Sequence, residues 1–163
     1  MIESYKTLLN TAKGRFGETK KFFKVLKKVK SARLDQLFSE NHFRFSEEIN
    51  CLECANCCKG TGPLLKDRDI SRLSKSLRMK SKQFIDTYLK MDEEGDLIFR
   101  DLPCPFIDRN NFCLTYEDRP AACRDYPHTD RHNIKKYLKP TLENYKICPI
   151  VYLTVEELKK ISL

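Results

Sequence analysis

The run Cys51-Leu-Glu-Cys54-Ala-Asn-Cys57-Cys58 decides how this chain is read, because packing alone does not explain four thiols crowded so closely. A free cysteine behaves as a small hydrophobe, and a core gains nothing from four side by side. Soft thiolates suit zinc, copper(I) and iron-sulfur clusters, whereas magnesium and calcium take oxygen ligands. Two residues between cysteines let the backbone wrap one centre with several N–H groups directed at sulfur. Cys57 and Cys58 are adjacent, so their side chains are expected to leave the backbone in different directions and not to serve one site identically.

Working outward, Cys104, Cys113, Cys123 and Cys148 complete a set of eight candidate metal ligands. Eight thiols allow two four-cysteine sites, or one site with four spectators, and both stay open. Zinc sites are commonly assembled from two separated C-x2-C pairs, and only one continuous run is present. Three cysteines at C-x2-C-x2-C with a distant cysteine before proline match the ferredoxin pattern for a [4Fe-4S] cluster. Cys104-Pro105 and Cys148-Pro149 both supply that step. The reading therefore leans to an iron-sulfur cluster, with zinc as the alternative.

The rest of the chain sets the context. No uninterrupted apolar run or small-residue cleavage site marks Met1 to Phe16, so no signal peptide is expected, and no stretch is apolar enough for a transmembrane segment. A cytoplasmic location follows as the expectation, where thiols stay reduced and clustered cysteines bind metal more often than they form disulfides. The length of 163 residues, with 40% hydrophobic and 33% charged, suits one domain with an appendage. The formal charge of +8 points to an acidic protein, nucleic acid or an anionic membrane surface as partner without choosing among them. Thiolates bound to metal offset part of that excess.

Residues 1–50 lack cysteine and are rich in lysine, so they are expected to form a basic amphipathic helical arm ahead of a cysteine-cluster domain over 51–163. Phe22, Val25, Leu26, Val29 and Leu34 fall near one helical face, with Lys20, Lys24, Lys27, Lys28 and Lys30 mostly elsewhere. Ile70, Leu73 and Leu77 predict a helix near 67–78. Ser81 is the candidate N-cap of a second helix burying Phe84, Ile85, Tyr88 and Leu89. Leu97 to Arg100 reads as a short extended segment, and Phe106-Ile107 with Phe112-Cys113 flanks the turn-like 108–111 as a small hairpin. Asp118 is expected to cap a short helix containing Pro120 and presenting Cys123. Thr154 with Glu157 has the pattern of a capping box, placing a terminal helix at 155 to about 162. The expected fold is mainly α: a small compact helical domain with a short β-hairpin, organised around a cysteine-ligated metal site.

The order Cys51-x-x-Cys54-x-x-Cys57-Cys58, Cys104-Pro-Phe-Ile-Asp and Arg119-Pro-Ala-Ala-Cys123-Arg-Asp-Tyr-Pro127 resembles the YkgJ-type cysteine-cluster family over roughly Cys51 to Cys148. That resemblance implies a zinc- or iron-chelating domain. Two positions depart from the family pattern: Ala55-Asn56 stands where glycine often occurs in the run, and Arg78 or Met79 where glycine usually follows the Ile70 helix. The flagellin lysine N-methylases share a similar cysteine-cluster region, which implies a metal-cluster-dependent group-transfer enzyme as an alternative. Those enzymes are longer, and no methyl-donor site is recognisable here. A zinc-stabilised nucleic-acid-binding module is the other alternative, and a structural or redox metal centre is the leading one.

Several neighbours of the thiols could tune such a centre. Arg119 and Arg124 bracket Cys123 and can offset thiolate charge, or fix the turn through Asp118 or Asp125. His128 and His132, and less so His42, are alternative ligands. Tyr116, Tyr126, Phe106 and Phe112 can exclude water or simply pack. Asp125 is the one candidate base, but no catalytic motif accompanies it.

Overall fold

The structure is a computed structural model that describes residues 3–162. The fold is mainly helical with a two-stranded antiparallel hairpin, and the chain divides into two units, Met1–Cys54 with Pro127–Leu163, and Ala55–Tyr126. The division falls inside the cysteine run, immediately after Cys54.

The first unit is built on α1 (Glu3–Gly14), α2 (Phe16–Leu26), α3 (Ser31–Glu48), the single turn α4 (Cys51–Cys54), and, after the second unit, α9 (Leu138–Asn144) and α10 (Pro149–Lys159). Each long helix buries residues at helical spacing: Tyr5, Leu9 and Ala12 on α1, Phe23 and Leu26 on α2, Leu34, Leu37, Phe38 and Phe45 on α3. Helix α10 buries Ile150, Val151, Tyr152, Thr154, Val155 and Leu158, so it is apolar nearly all round and packs against α1, α3 and α9. Such a helix belongs at the centre of a bundle. Lys159 ties it to α2: its Nζ donates to Glu156 Oε1 at 2.7 Å and to Thr19 Oγ1 at 2.8 Å, and Tyr145 Oη donates to the same Glu156 oxygen at 2.8 Å. Asp35 on α3 accepts the N–H groups of Asn133 and Ile134, both at 2.8 Å, and so caps the 3-10 turn Ile134–Tyr137.

Three sequence expectations change here. The apolar stripe Phe22 to Leu34 is not one helix: α2 ends at Leu26, Val25 is exposed, and Phe23 and Leu26 are the buried pair. The terminal helix starts at Pro149, five residues before Thr154, because proline at the first helical position suits its missing N–H. Thr154 therefore lies in mid-helix, buried, and caps nothing.

The second unit contains α5 (Asn56–Gly60), α6 (Asp67–Ser76), α7 (Ser81–Tyr88), β1 (Leu89–Met91), β2 (Leu97–Phe99) and α8 (Ala121–Arg124). Leu65, Ile70, Leu73, Phe84, Leu89, Phe99 and Phe106 form its core, with Cys104 packed against them. Leu89 pairs with Phe99 and Met91 with Leu97. The Asp92 carboxylate closes the turn by accepting the N–H groups of Glu94 and Asp96, both at 2.9 Å, and Gly95 takes the positive φ that the turn requires. The predicted 106–113 hairpin reduces to one bridge, Ile107 with Cys113, so the paired strands lie earlier in the chain than expected. Ser81 is the first residue of α7 rather than its cap, and its hydroxyl bonds Ser74 Oγ at 3.1 Å.

In each pair where the family pattern favours glycine, Ala55-Asn56 and Arg78-Met79, the first residue is left-handed: Ala55 has φ 47° and Arg78 has φ 55°. Arg78 sits at the C-terminal turn of α6, where its N–H reaches Lys75 O at 3.1 Å and the Met79 N–H reaches Ser74 O at 2.8 Å. This bond pair is a Schellman motif, whose left-handed residue is most often glycine.

Candidate metal centre

Short elements carry the thiols, and each is anchored by backbone or carboxylate bonds. In the second unit, Cys57 and Cys58 lie on α5, which follows the left-handed Ala55. The Cys104 N–H donates to Cys58 O at 2.7 Å, which brings the Cys-Pro segment against α5. Cys113 faces the same segment across the Ile107–Cys113 bridge, where the Leu114 N–H donates to Phe106 O at 2.8 Å. Cys123 sits on α8. That helix is not capped by Asp118, which lies in a preceding 3-10 turn; instead Asp69 of α6 accepts the Ala121 N–H at 3.0 Å.

Asp69 organises this corner. Its carboxylate also accepts the Lys66 N–H at 3.1 Å and Arg72 Nη2 at 2.8 Å, while Arg72 donates to Asp118 O at 3.2 Å and Arg119 O at 2.9 Å. Burial raises the Asp69 pKa, but the two N–H groups and the Arg72 guanidinium together hold it below its ordinary value. Spacing gave no sign of its role at α8, because the Ala121 N–H that it accepts lies 52 positions away.

Cys58, Cys104, Cys113 and Cys123 are electrostatic neighbours. Burial pushes the Cys104 thiol up to about 11 and the Cys123 thiol up to about 12, with Cys58 and Cys113 adding to both. Cys58 is shifted the other way, held down first by a hydrogen bond with Cys57, whose sulfur lies 4.0 Å away, and then by its own backbone, Lys59 and Arg119. The expected divergence of Cys57 and Cys58 is thus small at the sulfurs. Arg119 stacks its guanidinium 3.8 Å above the Tyr116 ring, and its buried Nε has no hydrogen-bond partner among the described residues. It favours the thiolates of both Cys58 and Cys123. Arg124 is directed elsewhere, donating to Arg119 O at 2.8 Å.

In the first unit, Cys51 and Cys54 lie three apart on α4, and Cys148 is the N-cap residue of α10. Cys54 and Cys148 are buried, and Cys51 is exposed. Burial drives the Cys148 thiol up to about 12; the N–H groups of Val151 and Ile150 oppose that shift, and Cys51 and Cys54 add to it. The histidines have other contacts: His42 Nδ1 is 2.7 Å from Thr129 Oγ1, His132 lies 3.2 Å from Asp35, and His128 stacks on Tyr137.

All eight cysteines are free of disulfides. Among the described residues, no three or more His, Cys, Asp or Glu side chains are already gathered closely enough to hold a metal ion. The donor chemistry still fits one. Cys58, Cys104, Cys113 and Cys123 offer four soft sulfurs from one unit, and the apolar cluster behind Cys104 restricts water. No helix among the described residues is long and apolar enough to cross a membrane.

No curated protein and no solved structure matches the chain. A family model does, over residues 50–149, described as "CxxCxxCC: Putative zinc- or iron-chelating domain". The matched span holds all eight cysteines and more than half of the chain, so the protein belongs to the CxxCxxCC family.

Proposed function

We propose that this is a metal-centre protein in which Cys58, Cys104, Cys113 and Cys123 hold an iron-sulfur cluster with a structural or redox role in a reducing cytoplasm. The observation that supports the reading is that these four thiols lie in one unit, with the Cys104 N–H bonded to Cys58 O and Cys113 bridged to the segment that follows Cys104. The Phe106 N–H directed at Cys104 and the Arg119 guanidinium supply the polar support that thiolate clusters use to set their potential. A bound cluster supplies one-electron transfer, whereas zinc supplies a redox-inert cross-link. The protein's own part is the same for either. Cys58 and its partners provide sulfur, Arg119 and Lys59 offset negative charge, and Phe106 with Phe84 and Tyr88 keeps one side dry.

Protein purified without oxygen tests this through its iron, zinc and acid-labile sulfide content together with its visible spectrum. Iron with matching sulfide and a charge-transfer band is expected. Zinc without sulfide replaces the cluster by a structural zinc, and protein that retains neither metal overturns the reading.

A further inference from the structure

We propose that the lysine face of α2 and the turn that follows it bind the phosphate backbone of a nucleic-acid duplex, without sequence specificity. The inference goes beyond the metal-centre reading and does not depend on it.

The positive charge of the chain is concentrated. The first unit holds 18 Lys and Arg against 11 Asp and Glu, and the second 13 against 12. Residues 20–34 contribute six lysines and Arg33 to the first unit and no acidic residue, and the rest of that unit is neutral. Lys20, Lys24 and Lys27 follow one another at four and three residues, and Lys21, Lys24 and Lys28 at three and four. Two rows that share Lys24 therefore run side by side along the helix. Lys27 keeps helical φ and ψ of −58° and −25°, so its row does not break where α2 ends. All five of these lysines are exposed. The buried side of α2 is the one that carries Thr19, Phe23 and Leu26.

Like charges three and four residues apart destabilise a helix. Elsewhere in this unit that cost is avoided: Lys146 pairs with Glu143 at 2.9 Å, Lys159 with Glu156 at 2.7 Å and Lys160 with Glu157 at 2.7 Å, each at three residues. Among the described residues, the lysines of the two rows have no such partner. A face left with this repulsion fits an anion from outside the chain. Three features select a nucleic acid. The apolar side of α2 is already packed, and Val25 is the one large apolar residue exposed in 20–34, whereas a helix that lies in a membrane needs an apolar face to insert. Protein interfaces are depleted in lysine and rely on buried aromatic and arginine anchors, which this face lacks. A duplex matches it, since the rows run about 12 Å along the helix and a duplex carries one charge per about 1.7 Å of axis. Lysine offers a point charge and not a planar fork, so the backbone is held and the base sequence is not read.

The test is fluorescence anisotropy of short labelled duplexes of mixed sequence, one of DNA and one of RNA, titrated with the full chain purified without oxygen. Engagement of four lysines predicts an affinity that falls about 100-fold between roughly 50 and 200 mM salt. Lys20→Gln/Lys24→Gln/Lys27→Gln/Lys28→Gln protein should bind at least about tenfold more weakly at the low salt, and its slope of log affinity against log salt should flatten by about one for each lysine removed. Lys75→Gln/Lys80→Gln/Lys82→Gln/Lys90→Gln protein loses the same charge from exposed positions of the second unit and should bind as wild type does. Preference for one duplex over the other identifies the source of the phosphates and supports the proposal. Absence of binding at low salt overturns it, as do binding that salt does not weaken and an equal loss in the two variants, which reports net charge and not a face. Sedimentation with phosphatidylserine vesicles by protein that binds neither duplex assigns the face to a membrane surface and also overturns it. Acetylation of wild-type lysines, read by peptide mass spectrometry, decides the matter if the first variant does not fold: the duplex should slow Lys20, Lys24, Lys27 and Lys28 and leave Lys75, Lys80 and Lys82 unaffected, and equal rates with and without duplex refute the site. Metal content measured on the same protein keeps the outcome for the metal centre separate.

Discussion

Replacing Asp69 with alanine removes one carboxylate that three donors share. Two are backbone N–H groups, of Lys66 and Ala121, and the third is Arg72 Nη2. An unsatisfied buried donor costs about 1–3 kcal/mol, and truncating one partner of a buried ion pair about 3–5 kcal/mol. Arg72 keeps its bonds to the Asp118 and Arg119 carbonyls and is partly exposed, so the lower end of that range applies. Asp69→Ala is expected to destabilise the second unit by about 3 kcal/mol, a large share of the roughly 5–15 kcal/mol that holds a domain folded. Asp69→Asn keeps an acceptor and loses the charge, and should cost about 1–2 kcal/mol. Urea unfolding at pH 7 reads both values, and hydrogen exchange at the Ala121 amide reads the local bond. The sign with pH follows from the lowered pKa: the contribution is complete above the ordinary aspartate value of about 3.9 and disappears as pH falls through the lower folded value. In Asp69→Asn protein that acid-limb slope is reduced. A loss of less than about 0.5 kcal/mol in Asp69→Ala, the scatter of ordinary surface substitutions, with unchanged exchange at Ala121, refutes the idea that this carboxylate positions the Cys123 helix.

Ala55→Gly and Arg78→Gly each relieve a left-handed non-glycine residue, worth about 1–2 kcal/mol, against the extra unfolded-chain entropy of glycine of about 0.4–1 kcal/mol. Each should therefore raise the urea midpoint modestly, and a lowered midpoint contradicts the account. Arg119→Gln should weaken metal retention about tenfold in chelator competition, with Arg119→Lys intermediate because it keeps charge without the stacked fork; equal retention by all three proteins rules out a direct role. Lys159→Met breaks the charged bonds to Glu156 and the bond to Thr19, and should cost about 2 kcal/mol by thermal or urea unfolding.

What could be read in the sequence, and what could not, follows the range of the interactions. Helix α6 and the helix after it were legible because Ile70 and Leu73, and then Phe84, are buried with Leu77, Ile85 and Tyr88 partly buried against the same core, although Leu89, expected on the second helix, is buried as the first residue of β1. The caps were not legible. Ser81 and Asp118 both have the right chemistry for an N-cap, but the Ala121 N–H is taken by Asp69 from another helix, and Ser81 is bonded to Ser74. Thr154 with Glu157 has the letters of a capping box, yet Pro149 can start the helix earlier and α10 continues through both. The break after Leu26 was hidden because 27–30 reads Lys-Lys-Val-Lys, without glycine or proline to mark it. At the site, the sulfur chemistry was legible residue by residue, but the contact of the Cys104 segment with Cys58 joins residues 46 positions apart and had no signal in the spacing.

The two Cys-Pro steps help to explain how such thiols are supported. In each, proline lacks an N–H, so the donors that favour the thiolate come from beyond it: Phe106 for Cys104, and Val151 ahead of Ile150 for Cys148. Beyond that shared device the thiols of the two units are supported differently. For Cys58 the thiolate is favoured by the side chains of Cys57, Lys59 and Arg119 as well as by backbone, whereas for Cys148 the favouring groups are the Val151 and Ile150 N–H groups at the start of α10. Side-chain charge can be removed by substitution, and a helix N-terminus cannot. Neutralising Lys59 and Arg119 together should therefore weaken metal retention by the proposed Cys58, Cys104, Cys113 and Cys123 set about tenfold in chelator competition, while leaving the buried Cys148 thiol as slow to alkylate as before. Unchanged metal retention in that double variant, or faster alkylation of Cys148, contradicts the separate electrostatic origins, whatever metal is bound.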